Sequence, residues 1–362
     1  MDGKLARKTG VPVTSFQVAR LAGVSQSAVS RSFTPGASVA PKTRAKVLEA
    51  ARSLGYRPNA IARSLITSRS RIIGVVMAYL ENLFYPSVLE ELGRLLSAQG
   101  YHMLLFTGFK DRDSDPVFDQ IMRYRVDGII LASTGLSSEL SEECAAAGIP
   151  VVLFNRTTTR DAVSSVTTNN YEGGRKVADF LVAGGHKRFG YIAGLANSST
   201  NRDRQAGFID GLAAHGVSKL EIRTGDYSGS QAAIAARALL ALPKRLDAMF
   251  VANDHMAIAV IDVARSEFGL TLPDDISVVG YDNVGPASWP GYAITTVSQP
   301  MEVMVAGTVE LMMRQIESRQ IEAVHRVIAC ELIVRGSARR PTSGVVKRGE
   351  DWIYAPDDAK GR

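Results

Sequence analysis

Cysteine is nearly absent from this 362-residue chain: there are two, Cys144 and Cys330. They lie far apart and follow no metal-ligand spacing. That excludes a disulfide-stapled scaffold and a cysteine zinc site, and leaves two buried thiols as the expectation. Long apolar runs are missing as well. None approaches the roughly 20 residues that a membrane-spanning helix needs. Met1–Gly10 is polar and has no apolar signal core, so a cytoplasmic location is expected and export is not. The histidines at 102, 186, 215, 255 and 325 form no H-E-x-x-H or similar pairing. Phosphate cradles are absent too. The first core strand runs into Met77-Ala-Tyr-Leu80, where a dinucleotide site needs G-x-G-x-x-G, and no P-loop or nucleophile elbow appears. Gly173-Gly174 opens a helix, but two glycines there fit close helix packing equally well. No enzyme chemistry, cofactor or metal is expected.

Acidic residues are scarce in one region only. Residues 1–70 carry 12 Lys/Arg against Asp2 and Glu49, a net +10; the whole chain is +6, so the remainder is −4. Positive charge confined to one patterned end points to a polyanion partner for that end. The hydrophobic share of 46% is ordinary for a globular protein, and the length allows two or three domains.

Residues 1–12 read as a flexible lead. From Val13 to Gly55 the pattern is short helices and tight turns. Ser15 is expected to cap a helix ending near Ala22, Gly23 supplies a turn, and Ser25 caps a second helix ending near Phe33. Thr34-Pro35-Gly36 breaks the chain. Pro41 opens a third helix that Gly55 stops, although Ala40 offers no capping side chain. Asn59 to about Thr67 is a helical stretch too short to hold itself together in water, so it orders only when something packs on it.

From Ile72 the character changes. Apolar strand-type runs (Ile72–Met77, His102–Phe106, Gly128–Ala132, Val151–Phe154, Arg188–Ala193, Ala248–Val251, Ser277–Gly280, Ile328–Val334) alternate with helix patterns such as Val88–Ala98, Arg175–Ala183, Gln231–Leu242 and Ala257–Phe268. Such alternation predicts parallel sheets covered on both faces, in two doubly wound lobes. Residues 341–362 read as a polar, flexible tail.

Residues 14–34 have the makings of a helix-turn-helix. Ala19, Gly23, Val24 and Val29 are small or compact where two helices would cross. On the second helix Val29 and Phe33 face inward, and Gln26, Ser27, Ser30 and Arg31 fall on the opposite arc at 100° per residue. Arg suits guanine and Gln suits adenine in a major groove, and Ser25 at the helix start suits a phosphate. Spacing alone leaves that arc open between a base-reading face and plain solvated surface.

The ordered set Val13-Thr14, Val18-Ala-Arg-Leu-Ala-Gly-Val-Ser25, Val29-Ser-Arg31, Lys42-Thr-Arg44, Leu54-Gly-Tyr-Arg-Pro-Asn59, Ala62-Arg-Ser-Leu65 and Ile73-Gly74 resembles the lactose-repressor (LacI/GalR) family of bacterial transcription regulators over residues 13 to about 338. Ala40 departs from the capping Ser common there, and both tails are extra. The resemblance implies an all-α helix-turn-helix head on an α/β core of the type I periplasmic-binding-protein-like kind. It implies base reading by Gln26, Ser27 and Arg31 and backbone contacts from Tyr56 and Asn59. Leu65, with Ala62 beside it, would wedge into the minor groove and kink the site. Without the resemblance, Leu65 reads as a linker residue packed on the next domain.

The expected domains are 13–58 for the head, 59–70 for a hinge helix and linker, and 71–340 for the core. The core divides into an N-lobe of about 71–164 and 293–324 and a C-lobe of about 165–292 and 325–340. Ligands of open parallel sheets bind beyond the strand C-terminal ends. The family's effector contacts map onto Phe84, Tyr85, Asn155, Arg204, Tyr227, Asn253, Asp282 and Gln299, which follow strands in that manner. Carboxylate, guanidinium and amides can hold vicinal hydroxyls, and aromatic rings can cover a sugar's CH face. Arg204 and Asp282 are either a ligand clamp or a structural ion pair bridging the lobes; Trp289 is read as packing at the crossover. Ser198 stands where the family's purine-sensing type has an arginine, which disfavours a purine.

The expected protein is therefore a homodimeric transcriptional regulator, a repressor, that binds a near-palindromic operator under control of a small molecule, a sugar before a purine. A solute-binding protein of transport shares the core, but the basic head and missing signal core argue against it.

Overall fold

The computed structural model describes residues 13–34, 36–57, 69–78, 80–107, 120–132, 143–158, 163–318 and 320–356. The lead 1–12 and the stretch 58–68, which includes the expected hinge helix, lie outside them. The chain divides into two compact units, 1–70 and 71–362.

In the first unit α1 (Ser15–Ala22), α2 (Gln26–Ser32) and α3 (Pro41–Leu54) pack on Val18, Ala19, Val29, Val47, Ala50 and Ala51. Thr14, and not Ser15, caps α1. Its hydroxyl accepts from Gln17 N, and the Gln17 side chain accepts from Thr14 N, a reciprocal box that places Ser15 inside the first turn. Ser25 caps α2 as expected, accepting from Ala28 N at 3.3 Å. Pro41 begins α3 with no side-chain cap, and Gly55 ends it at φ 69°.

Along the second unit run β1 (Ile72–Met77), α4 (Phe84–Ala98), β2 (His102–Thr107), β3 (Gly128–Ala132), β4 (Val151–Phe154) and β5 (Ser164–Thr168). Then come α5 (Asn170–Ala183), β6 (Phe189–Ala193), α6 (Ser199–Ala214), β7 (Leu220–Thr224), α7 (Gly229–Leu240), β8 (Ala248–Val251), α8 (Asp254–Ser266), β9 (Ser277–Asp282) and β10 (Thr295–Ser298). The unit closes with α9 (Met301–Ser318), β11 (His325–Ile328), β12 (Glu331–Val334), β13 (Val345–Arg348) and β14 (Asp351–Tyr354). The strands form two sheets, β11-β5-β4-β3-β1-β2 and β13-β14-β12-β10-β9-β8-β6-β7. The first is parallel throughout. The second is parallel from β7 to β10 and antiparallel beyond. Runs such as Ile73–Met77 and Gly128–Ala132 are buried on both faces because helices cover both.

The chain passes between the sheets three times, after β5, after β10 and between β11 and β12. This shifts the expected lobe boundaries. Ser164–Thr168 is an interior strand of the first sheet. Its polar sequence hid it, but its hydroxyls are satisfied: Ser164 Oγ accepts from Gln315 Nε2 (2.8 Å) and Val324 N (3.0 Å). Thr295–Ser298 belongs to the second sheet and His325–Ile328 to the first. The run read as one strand, Ile328–Val334, is cut by the crossing at Ala329-Cys330.

The tail is likewise not a flexible segment through residue 356. Val345–Arg348 and Asp351–Tyr354 form a hairpin around Gly349-Glu350, with Gly349 at φ 60°, and extend the second sheet on β12. Ile353 and Tyr354 are buried, and the Tyr354 ring meets Phe180 edge-on at 5.4 Å. Residues 357–362 lie outside the described set. Cys144 and Cys330 are free and buried, as their spacing implied.

Helices α5 and α6 touch backbone to backbone. A Cβ on Gly207 would fall 1.9 Å from Tyr171 O, and one on Gly174 would fall 2.2 Å from Arg204 O. This contact fixes the turn of α6 that carries Arg204. The packed tail yields a test: Tyr354→Ala is expected to lower the unfolding free energy by about 3 kcal/mol, read from the urea midpoint. An unchanged midpoint would contradict a docked hairpin.

Candidate functional site

In the helical unit, Ser25, Gln26, Ser27, Ser30 and Arg31 are all exposed on one arc of α2, while Ala28, Val29 and Ser32 are buried on the other. Ser32 sits inside because its hydroxyl donates to Ala28 O at 2.8 Å. Tyr56 is half-buried, with its ring 5.8 Å from that of Phe33, so it is a packed residue with one face left open. Asn59, Ala62 and Leu65 lie outside the described residues. Phe16 and Leu21 of α1 are large apolar side chains left exposed on the same unit, 61% and 57%.

In the larger unit the strand ends converge on a small cavity of about 10 Å³, lined by Asn82, Tyr85, Asn155, Arg156, Thr200, Arg204, Tyr227, Asn253 and Asp282. Six of the eight expected ligand residues are in that lining. The other two stand behind it. Phe84 packs between Tyr85 and Phe154, with ring centroids at 5.4 and 6.2 Å. Gln299 donates from Nε2 to Asp282 Oδ1 at 2.7 Å. Asn82, Arg156 and Thr200 were not anticipated. Arg156 adjoins Asn155 at a strand end, which was a usable signal; Asn82 and Thr200 carry none.

Arg204 and Asp282 are 3.5 Å apart and both almost wholly buried. Two further donors of Arg204 are occupied. Nε donates to Asn170 Oδ1 (2.8 Å) and NH1 to Ala252 O (2.6 Å), and the guanidinium lies 3.6 Å from the Tyr281 ring centroid. Burial opposes its charge, yet the Asp282 carboxylate and the surrounding tyrosines outweigh burial and hold its pKa above the ordinary value. Asp282 is raised by burial, against which Arg204, Asn82 and Gln299 pull. Its oxygens accept from Asn82 and Gln299 and face the Arg204 guanidinium as an ion pair, so the geometry is that of a carboxylate. Both members of the pair sit in the same lobe, so it does not bridge. The bridges are other contacts: Asn82 Nδ2 to Asp282 Oδ2 (3.2 Å), Arg156 NH1 to Thr200 Oγ1 (2.6 Å) and Thr157 N to Ser199 Oγ (3.0 Å).

Two amide atoms in the lining are buried without a hydrogen-bond partner, Asn155 Oδ1 and Asn253 Nδ2. Asn155 is also held at φ 55°, and Asn253 uses its Oδ1 to cap α8 at Met256 N. These two orphaned atoms leave the cavity with unused hydrogen-bonding capacity, one acceptor and one donor. Trp289, read as packing at the crossover, is 57% exposed and outside this lining.

Among the described residues no group of three or more His, Cys, Asp or Glu could hold a metal. No helix among them is long and apolar enough to cross a membrane.

Comparison with known proteins accords with both surfaces. Residues 17–59 match the bacterial regulatory proteins of the lacI family, and residues 178–338 match a periplasmic binding protein-like domain. The HTH-type transcriptional regulator CelR of Thermobifida fusca is 32% identical over 333 residues, 90% of this chain and 98% of that protein. The chain belongs to the lacI family. A solved complex of CelR with cellobiose aligns at a TM-score of 0.69 and 30% identity, covering 90% of this chain and all of that one. A lac repressor dimer bound to operator and the anti-inducer ONPF aligns at 0.80 and 26% identity, covering 90% and 99%. This lacI-family chain is a DNA-binding transcriptional regulator, with a helix-turn-helix head and a two-lobed core of the type I periplasmic-binding-protein-like fold.

Asp254, one residue beyond the lining, provides a test of the site's electrostatics. It is fully buried, accepting from Thr296 Oγ1 (2.7 Å) and Val284 N (3.1 Å). Burial, then the Asp282 charge, push its pKa up to about 8. An unfolded Asp titrates at about 4, so the folded state favours the neutral form. The stability this gives is complete below about pH 4 and is lost as pH rises toward 8. Asp254→Asn is therefore expected to gain in urea midpoint over the wild type between about pH 5 and pH 8.5. A difference independent of pH would contradict the shift.

Proposed function

We propose that this regulator is a homodimeric repressor whose operator affinity is set by a sugar or sugar derivative held between the two core lobes, and that it acts in the cytoplasm without catalysing a reaction. The observation that carries the ligand reading is the pair of orphaned amide atoms in a cavity built around a buried carboxylate and guanidinium. Arg204 and Asp282 offset each other and Arg156 adds one positive charge to the lining, which suits a hydroxylated ligand, neutral or carrying an acidic group. Asp282 and the amides of Asn155 and Asn253 suit its hydroxyls, and Tyr85 and Tyr227 suit its CH faces. Phe84 and Gln299 serve by holding Tyr85 and Asp282. CelR, a relative, binds the disaccharide cellobiose in its solved complex, which supports the same class here.

A cavity of about 10 Å³ admits roughly one water. A sugar therefore enters by parting the inter-lobe bridges of Asn82, Arg156 and Thr157, and its binding energy becomes a choice of lobe orientation. The proposed DNA contacts are Ser25, Gln26, Ser27, Arg31 and Tyr56 together with Asn59, Ala62 and Leu65. One head covers a half-site, and two heads on a near-palindrome supply affinity and register.

Two outcomes are expected. In a thermal-shift panel of sugars, polyols and purines, a sugar at 100 times its Kd stabilises the chain by about 2.7 kcal/mol, and Asp282→Asn removes the shift. A panel answered only by purines would overturn the sugar reading. Arg31→Ala is expected to cost about 1–3 kcal/mol of operator affinity and to relax specificity at one base pair, measured by fluorescence anisotropy on operator variants. Equal weakening on every sequence would make Arg31 a phosphate contact instead.

A further inference from the structure

A larger cavity of about 410 Å³ lies at the opposite end of the second sheet from the sugar cleft. It opens where β6, β7 and β8 begin, whereas the cleft lies where they end. A five-residue strand spans about 17 Å, so the two spaces are separate. The volume falls within the range of small-molecule sites, about 300–1,000 Å³.

Its chemistry is two-sided. Phe189, Leu242 and Leu246 give an apolar floor. Lys187, Arg188, Lys219 and Lys244 stand around it, against a single carboxylate, Glu221. That carboxylate is already engaged by Lys219 at 3.5 Å and Arg223 at 4.0 Å. The nearby Asp247 points elsewhere. It accepts from the backbone N–H groups of Lys187 (3.1 Å) and Arg188 (2.9 Å) and pairs with the Arg188 guanidinium (3.5 Å). Asp247 thereby fixes the turn that carries two of the cations without lining the cavity itself. The unit bearing this pocket is net negative, so the cluster is a local feature and not a share of the basic head.

We propose that this pocket is a second ligand site, for an amphipathic organic anion: an apolar ring or chain laid on Phe189, Leu242 and Leu246, with a phosphate or carboxylate among Lys187, Lys219 and Lys244. Cations gathered around a concave apolar wall concentrate anions there, more than the same charges spread on a flat surface. The site is distinct from the cleft, which is lined by two guanidinium groups, one carboxylate and orphaned amides and has no lysine among its described residues.

The test uses the full chain and 8-anilinonaphthalene-1-sulfonate, a fluorescent anion with an apolar body. It is expected to bind at one site per chain, more weakly as salt is raised. Lys187→Gln with Lys244→Gln, both exposed positions, is expected to reduce its affinity about tenfold or more, and the conservative Tyr85→Phe in the cleft to leave it unchanged. Adenosine 5′-monophosphate or benzoate is expected to displace the dye, the two arms separating a phosphate from a carboxylate ligand, while uncharged adenosine is not. Affinity unaltered by the double lysine substitution, loss of dye binding on Tyr85→Phe, or equal displacement by adenosine would overturn the proposal.

Discussion

Asp282 is a single buried carboxylate on which several separate parts of the core close. It stands at the end of β9, forms an ion pair with Arg204 on α6, and accepts from Gln299 at the second crossing between sheets and from Asn82 of the other lobe. Gln299 in turn accepts from Thr168 at the first crossing, at 3.0 Å, and Asn169 N donates to Ile328 O beside the third, at 2.9 Å. A charge this deeply buried persists only while its partners hold it, so removing any of them leaves an uncompensated group in low dielectric. Lobe orientation, the position of Arg204 and the shape of the cavity are thus bound to the same few hydrogen bonds.

This arrangement explains how a small ligand can matter. Among the described residues the closed cleft is held by polar inter-lobe bridges, those of Asn82, Arg156 and Thr157 included, and leaves Asn155 Oδ1 and Asn253 Nδ2 unsatisfied. On the proposed reading, a hydroxylated ligand would exchange the bridges for its own hydrogen bonds and complete the two amides. The net difference between those sets is small compared with either, which is the condition for a switch moved by a few kcal/mol.

Much of this was legible in the residues. The charge step at residue 70, the inward Val29 and outward Gln26–Arg31 of the second helix, and the apolar β1, β3 and β4 runs each follow from a period or a composition, and the structure keeps them. What escaped had no such period. Ser164–Thr168 is polar yet interior, because partners on Gln315, His325 and Val324 satisfy it. The break at Ala329-Cys330 is a crossing between sheets, invisible in an apolar run. The hairpin at Val345–Tyr354 did carry a signal, alternating residues on either side of Gly349, but its surroundings of Pro, Ser and charge masked it. In the cleft, most residues that follow strands were found, Arg156 beside Asn155 excepted, whereas Asn82 and Thr200, brought in by loop and helix start, were not. Their place is a property of tertiary structure alone.

Operator and cleft ligand report to each other, on this account, through lobe orientation. The most direct measurement is the operator affinity of the full chain, at fixed salt, with and without the tightest-binding sugar of the panel, alongside that sugar's affinity with and without operator. Linkage requires the two shifts to be the same factor, and a shared factor of about 5–150 is predicted. Identical operator affinity with the sugar absent and saturating would contradict it.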